Sequence, residues 1–130
     1  MTHWVLAWLR AFGLTLLIEE LIAVPLLSRW ERKPRERHPH TDGPTAAPWT
    51  RIAQRVASVA LVNVATHPLV WFLFPGLKCA YATRVILSEI WAFSAEGGAY
   101  WLIRPGLPAG RAFLTSVIAN GASLGIGLLL

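Results

Sequence analysis

The sequence predicts an all-α protein, a polytopic transmembrane bundle of four helices. Three observations carry that prediction. Of the 130 residues, 55% are hydrophobic and only 15% charged, whereas an ordinary soluble domain is about 45–50% apolar and about 25% charged. A chain this short buries too small a fraction of its surface to hide that much apolar area from water. The apolar residues also gather into four stretches, each near the roughly 20 residues with which a helix crosses a bilayer. None alternates polar with apolar residues as a barrel strand does. The same composition excludes a disordered chain and a disulfide-rich secreted scaffold.

The first stretch covers about 4–27. It lacks a basic leader and a small-x-small cleavage site and stays apolar past Glu20, so it reads as a retained helix rather than a signal peptide. Pro25 is placed to bend or end it, exposing the Leu21 carbonyl. Residues 28–55 then form a basic loop rich in charge, Pro and Thr, expected to be mobile or to lie on lipid headgroups. Within it His38-Pro39-His40 is a weak metal candidate, with a solvated loop as the plainer reading.

The second stretch covers about 56–75. Its Pro68 follows His67 and is expected to kink the helix and free the Val64 carbonyl. The third covers about 85–103, where Gly97-Gly98 is placed to bend the helix or admit a close neighbour. The fourth covers about 112–130. Its Gly121-x-x-x-Gly125 has the small-residue spacing of close helix packing, a feature compatible with a homo-oligomer.

Charge gives the orientation. The first loop holds Arg29, Arg32, Lys33, Arg35, Arg37, Arg51 and Arg55, and the third holds Arg104 and Arg111; the second holds only Lys78 and Arg84. Nine basic residues against two place the first and third loops in the cytoplasm and both termini outside, in a bacterial inner membrane. Trp4, Trp8, Trp30, Trp49, Trp71 and Trp101 fall near helix ends, as interface anchors do. The net charge of +5 thus reads as topology. Nucleic-acid binding is not expected, because no basic module with interleaved aromatics is present. The single cysteine, Cys79, makes neither an intrachain disulfide nor a metal site. No motif implies a cofactor, and a Walker loop, G-x-S-x-G and H-E-x-x-H are all missing.

Two helices carry a similar pattern. Ser58-Val59 precedes Asn63-Val64-Ala65-Thr66, and Ser116-Val117 precedes Asn120-Gly121-Ala122-Ser123. More weakly, Glu20 precedes Val24-Pro25 as Glu96 precedes Tyr100-Trp101. These pairs suggest a duplicated two-helix unit with its axis along the membrane normal.

Four of the seven acidic residues, Glu19, Glu20, Glu89 and Glu96, fall inside the apolar stretches. A charge at a helix centre costs about 2.5–3.5 kcal/mol on insertion scales, so such residues face a bundle interior and find partners. Glu89 and Glu96 are seven residues apart, about 20° from eclipsed. Asn63, Thr66 and His67 share one face of the second helix, and Ser116, Asn120 and Ser123 share one face of the fourth. Burying these stripes together gives a polar core. Glu20 and Glu96 are the first candidates for a protonatable site, with Glu19, Glu89, Asn63, Thr66, His67, Asn120 and Ser123 around it. Adjacent Glu19 and Glu20 stand about 100° apart, so one of them points elsewhere.

Taken together, Glu20, Asn63-x-x-Thr66-x-Pro68, Glu89, Glu96 and Asn120-x-x-Ser123 loosely resemble small four-helix bacterial membrane proteins without an assigned activity. In layout the chain is also similar to small multidrug exporters, through Glu19/Glu20 in the first helix and Gly121/Gly125 in the fourth. It departs from them in its long basic loop and strong charge bias. Glu19-Glu20 resembles the start of the signature of intramembrane glutamic proteases, but Val24 stands where those have Arg. The leading expectation is proton- or cation-linked binding or transport of a small solute. The alternative is a non-enzymatic accessory or assembly subunit that holds a partner membrane protein, and an intramembrane hydrolase is third.

Overall fold

The computed structural model describes residues 2–30 and 47–129. Four helices follow one another: α1 (Thr2–Trp30), α2 (Pro48–Phe72), α3 (Tyr81–Ile103) and α4 (Ala109–Gly127), with a 3-10 turn at Phe74–Gly76 between α2 and α3. Among the described residues there is no strand. His38-Pro39-His40, most of the basic loop and Leu130 lie outside the described residues.

Every helix begins before its apolar stretch does, because backbone hydrogen bonding continues into polar residues. The largest difference is in α2, whose start at Pro48 takes in residues expected in the loop, including Arg51 and Arg55. Proline suits that first position, since its φ is preset and its missing N–H would have had no intrahelical partner. The prolines inside the helices do not end them. α1 runs through Pro25 to Trp30, and α2 runs through Pro68 to Phe72.

Two segments, His3–Trp30 and Pro48–Gly76, are long and apolar enough to cross a membrane, with mean hydropathy of 1.8 and 1.7. Four such segments were expected, and among the described residues only these two are apolar enough. α3 carries Arg84, Glu89 and Glu96, and α4 is diluted by Gly, Ser, Thr and Asn.

The helices form a ring in which α1 packs on α2, α2 on α3, α3 on α4 and α4 on α1; the diagonal pairs do not pack directly. The closest approach between helices that a side chain would obstruct is at Gly97. A Cβ there would lie 2.6 Å from the Phe113 ring and 3.0 Å from the Phe113 Cα, so α3 and α4 meet at this level only because Gly97 has no side chain. Gly121 and Gly125 face outward, and a Cβ on either would touch nothing in the chain. Their small-residue spacing therefore does not pack helices within the bundle.

The inner surface divides into two levels. Towards the end of the bundle where α3 turns into α4, Ala23, Leu27, Val59, Val62, Tyr100, Leu107, Ala112 and Ala119 form a buried apolar core. The turn that closes this end needs Gly106, whose φ of +88° favours glycine, and it tucks Leu107 beneath the core. Arg111 reaches the Trp30 carbonyl at the end of α1 at 3.5 Å. Towards the opposite end the inner surface is polar. Among the described residues, nine buried side chains are polar or charged against ten that are apolar. Leu21, Leu61, Ile86, Leu102 and Leu114 instead stand exposed on the outside.

Candidate functional site

The polar half is built from one stripe per helix. On α1, Ala11, Thr15 and Glu19 recur every four residues and so point the same way, as do Ala23 and Leu27 in the apolar half. On α2 the stripe is Asn63, Thr66, His67 and Val70; on α3 it is Glu89, Ala92 and Glu96; on α4 it is Asn120, Ser123 and Gly127. Together with Trp71, Tyr81, Leu124 and Leu128 these residues surround a cavity of about 270 Å³. Its outer rim includes the exposed Tyr81 and Leu128, near the turn from α2 to α3. Its inner end is Glu19, Asn63, Glu96 and Asn120, directly above the apolar core.

Glu96 is 2% exposed and ties three helices together. Its Oε1 accepts from the Thr66 hydroxyl of α2 at 3.0 Å. Its Oε2 accepts from Asn120 Nδ2 of α4 at 2.5 Å and from the Ser116 hydroxyl at 3.3 Å. Asn120 is steadied by its own helix, donating also to the Ser116 carbonyl at 3.0 Å. All three side chains can donate, and a carboxyl oxygen accepts, so Glu96 is the point at which α2, α3 and α4 are joined.

Glu19, fully buried, meets Asn63 in a similar arrangement. Asn63 Nδ2 donates to Glu19 Oε2 at 2.6 Å and to the Val59 carbonyl four residues back at 3.3 Å. Here the donors run out. Glu19 Oε1 and Asn63 Oδ1 are buried and have no hydrogen-bond partner. The Tyr100 hydroxyl is also buried without a partner, but it belongs to the apolar half and does not line the cavity.

His67 is positioned by aromatic rings. Its Nδ1 accepts from Trp8 Nε1 at 3.2 Å, which assigns the proton of the neutral ring to Nε2. Phe12 packs edge-on at 4.9 Å and Trp71 stacks at 6.3 Å. Trp4 meets Trp71 at 6.5 Å, completing an aromatic cluster beside the outer part of the cavity.

The structure thus brings Glu19, Glu89, Glu96, Asn63, Thr66, His67, Asn120 and Ser123 to one cavity. It sets Glu20 apart. That side chain is half-buried in an outward groove with Leu17, Leu21, Val24, Pro25 and Val56. Of the adjacent pair, Glu19 is the inward residue, and it, not Glu20, stands across the core from Glu96. Thr15, Ser116 and Trp8 contribute without having been among the expected site residues. Thr15 was discoverable, since it lies four residues before Glu19. Trp8 carried no such signal, because its indole partner comes from another helix. Among the described residues, no three His, Cys, Asp or Glu side chains converge closely enough to hold a metal ion. No protein family, curated protein or solved structure matches the chain.

Proposed function

We propose that the protein is an integral membrane bundle that binds a small solute in this cavity and moves it with a coupled proton or cation. The observation that carries the reading is the cavity itself, which extends to two buried carboxyls, Glu19 and Glu96. A purely structural polar core would bury them in packed, dry surroundings. The inside-out distribution supports the membrane setting. Buried Glu, Asn, Ser and Thr with exposed Leu and Ile are what a lipid solvent selects, because ionisable groups there turn to the bundle interior. α3 and α4 cross beside the two more apolar helices, their polar faces turned inward. The basic residues at the sealed end support a cytoplasmic side for that end. The cavity then faces the opposite side, as do the helix ends nearest both termini.

The matching bonds Glu19–Asn63 and Glu96–Asn120 support a duplicated two-helix unit, with Glu19 rather than Glu20 as the counterpart of Glu96. A second reading, a subunit that holds a partner membrane protein, is favoured by the outward groove at Glu20. The deciding experiment is solute-dependent proton flux into liposomes. Wild type is expected to carry flux that Glu96→Gln abolishes. Absence of flux with every candidate solute would leave the subunit reading.

A further inference from the structure

We propose that a second pocket, at Arg84, binds the phosphate of an anionic phospholipid, with the lipid's apolar part against the aromatic rings around it. Such a site needs the membrane setting of the bundle but not its transport.

The pocket lies where the start of α1, the end of α2 and the start of α3 meet, and has a volume of about 290 Å³. Trp4, Trp71, Phe74 and Tyr81 give it aromatic surface, and Val70 and Val85 add aliphatic surface. Among the described residues that line it, Arg84 is the one cation and none is an Asp or Glu. Arg84 is held in place but only partly used. Its Nη1 donates to the Pro75 carbonyl at 3.1 Å, and its guanidinium carbon lies 6.0 Å from the centre of the Tyr81 ring, within reach of a cation–π contact. These contacts fix the side chain without neutralising it, and among the described residues no carboxylate pairs with it. Nε is enclosed without an acceptor. Nη2 makes no hydrogen bond within the chain and is not buried, so it is the donor a ligand can reach.

Depth in the bilayer identifies the acceptor. The 23 residues of α3 span about 34 Å, slightly more than the roughly 30 Å of hydrocarbon. Arg84 is the fourth of them, about 5 Å from the start of the helix, which puts its guanidinium at the level of the headgroups. The charge bias that orients the bundle gathers basic residues at the other end, so it gives no reason for an arginine here. A phosphate is an acceptor that the planar guanidinium fits well, and phospholipids carry one at this depth. The rings describe the rest of the ligand. Trp and Tyr settle at the interface with one face apolar, and here they wall a pocket that a glycerol ester and the top of an acyl chain would fill. A free phosphate would leave that surface unused.

Titration of the full chain in maltoside micelles, followed by tryptophan fluorescence, tests the site, with Trp4 and Trp71 on the pocket wall as reporters. The probes are dihexanoyl phosphatidylglycerol, dihexanoylglycerol, which lacks the phosphate, and inorganic phosphate, which lacks the apolar body. The first is expected to give a saturable change and the other two none. Arg84→Gln is expected to weaken phosphatidylglycerol about tenfold to a hundredfold, the worth of a charge-assisted hydrogen bond. Lys78→Gln removes the same charge from the exposed turn before α3, off the pocket wall, and is expected to leave binding unchanged. Equal binding of dihexanoylglycerol or phosphate overturns the proposal, as does no saturable binding of phosphatidylglycerol, an unaffected Arg84→Gln protein or an equal loss in Lys78→Gln. The probe comparison uses wild type and stands even if Arg84→Gln fails to fold. Failure of the membrane setting looks different, because the expressed chain would then stay in solution without detergent and the proposal would fall with it. Failure of transport leaves the proposal standing, since binding of the lipid probe requires no flux.

Discussion

The α1–α2 pair and the α3–α4 pair present the same two residue types to the core and finish them differently. In α3–α4 the carboxyl is saturated: Glu96 takes donors from Asn120, Ser116 and, across the pair boundary, Thr66. In α1–α2 the carboxyl of Glu19 takes one side-chain donor, Asn63, and keeps an oxygen unpartnered. Thr66 and Ser123 each lie three residues after their asparagine, yet only Thr66 reaches the opposite glutamate. The difference teaches that the same two residue types can be tied into the bundle to different degrees: Glu96 joins three helices, while Glu19 joins two.

The sharpest way to break this comparison is to truncate both carboxyls. Glu96→Ala removes the acceptor shared by Thr66, Ser116 and Asn120 and is expected to destabilise the fold by roughly 3 kcal/mol or more, whereas Glu19→Ala removes an acceptor of Asn63 alone and costs roughly 1–2 kcal/mol. Unfolding titrations in mixed micelles measure both, and equal costs would erase the distinction. A smaller effect is expected at the helix contact. Gly97→Ala forces a Cβ against the Phe113 backbone and costs about 1–3 kcal/mol, because a Cα cannot rotate aside as a side chain can. Gly121→Ala meets open space and is expected to be neutral or stabilising by up to about 1 kcal/mol through helix propensity. The mildest test is the boundary bond. Thr66→Val removes the α2-to-α3 link for about 1 kcal/mol, while Ser123→Ala leaves the same unfolding midpoint as wild type. A matching loss at Ser123 would show that the two pairs are more alike than their geometry.

Much of this was legible in the residues. Helical class and helix number follow from the length and spacing of the apolar runs, and the polar stripes of α2 and α4 follow from positions three and four apart. Periodicity alone could not choose between Glu19 and Glu20. The two differ by about 100°, and only the path of α1 against α2 and α4 decides which is inward. Pro25 does not end α1, since the neighbouring turns carry the helix past one missing N–H. The glycines show a related limit. Gly121-x-x-x-Gly125 has the better-known spacing, but Gly97 makes the close approach, because a neighbouring backbone rather than a pattern determines which small residue is needed.

The apolar core from Ala23 to Leu107 has a consequence beyond holding the helices together. In the proposed bilayer orientation a watery cavity conducts ions and a packed apolar layer does not. A transmembrane voltage would therefore fall mainly across the sealed half. From Glu96 to the end of α3 at Ile103 is about 10 Å of helix, far less than the roughly 30 Å of hydrocarbon in a bilayer. The field would be concentrated several-fold there, just beneath the two glutamates. Moving one charge through the whole potential is worth about 2.3 kcal/mol per 100 mV. A proton or cation seated at Glu19 would stand at the edge of nearly all of that drop, which makes occupancy of this site a voltage-sensitive quantity as well as a chemical one.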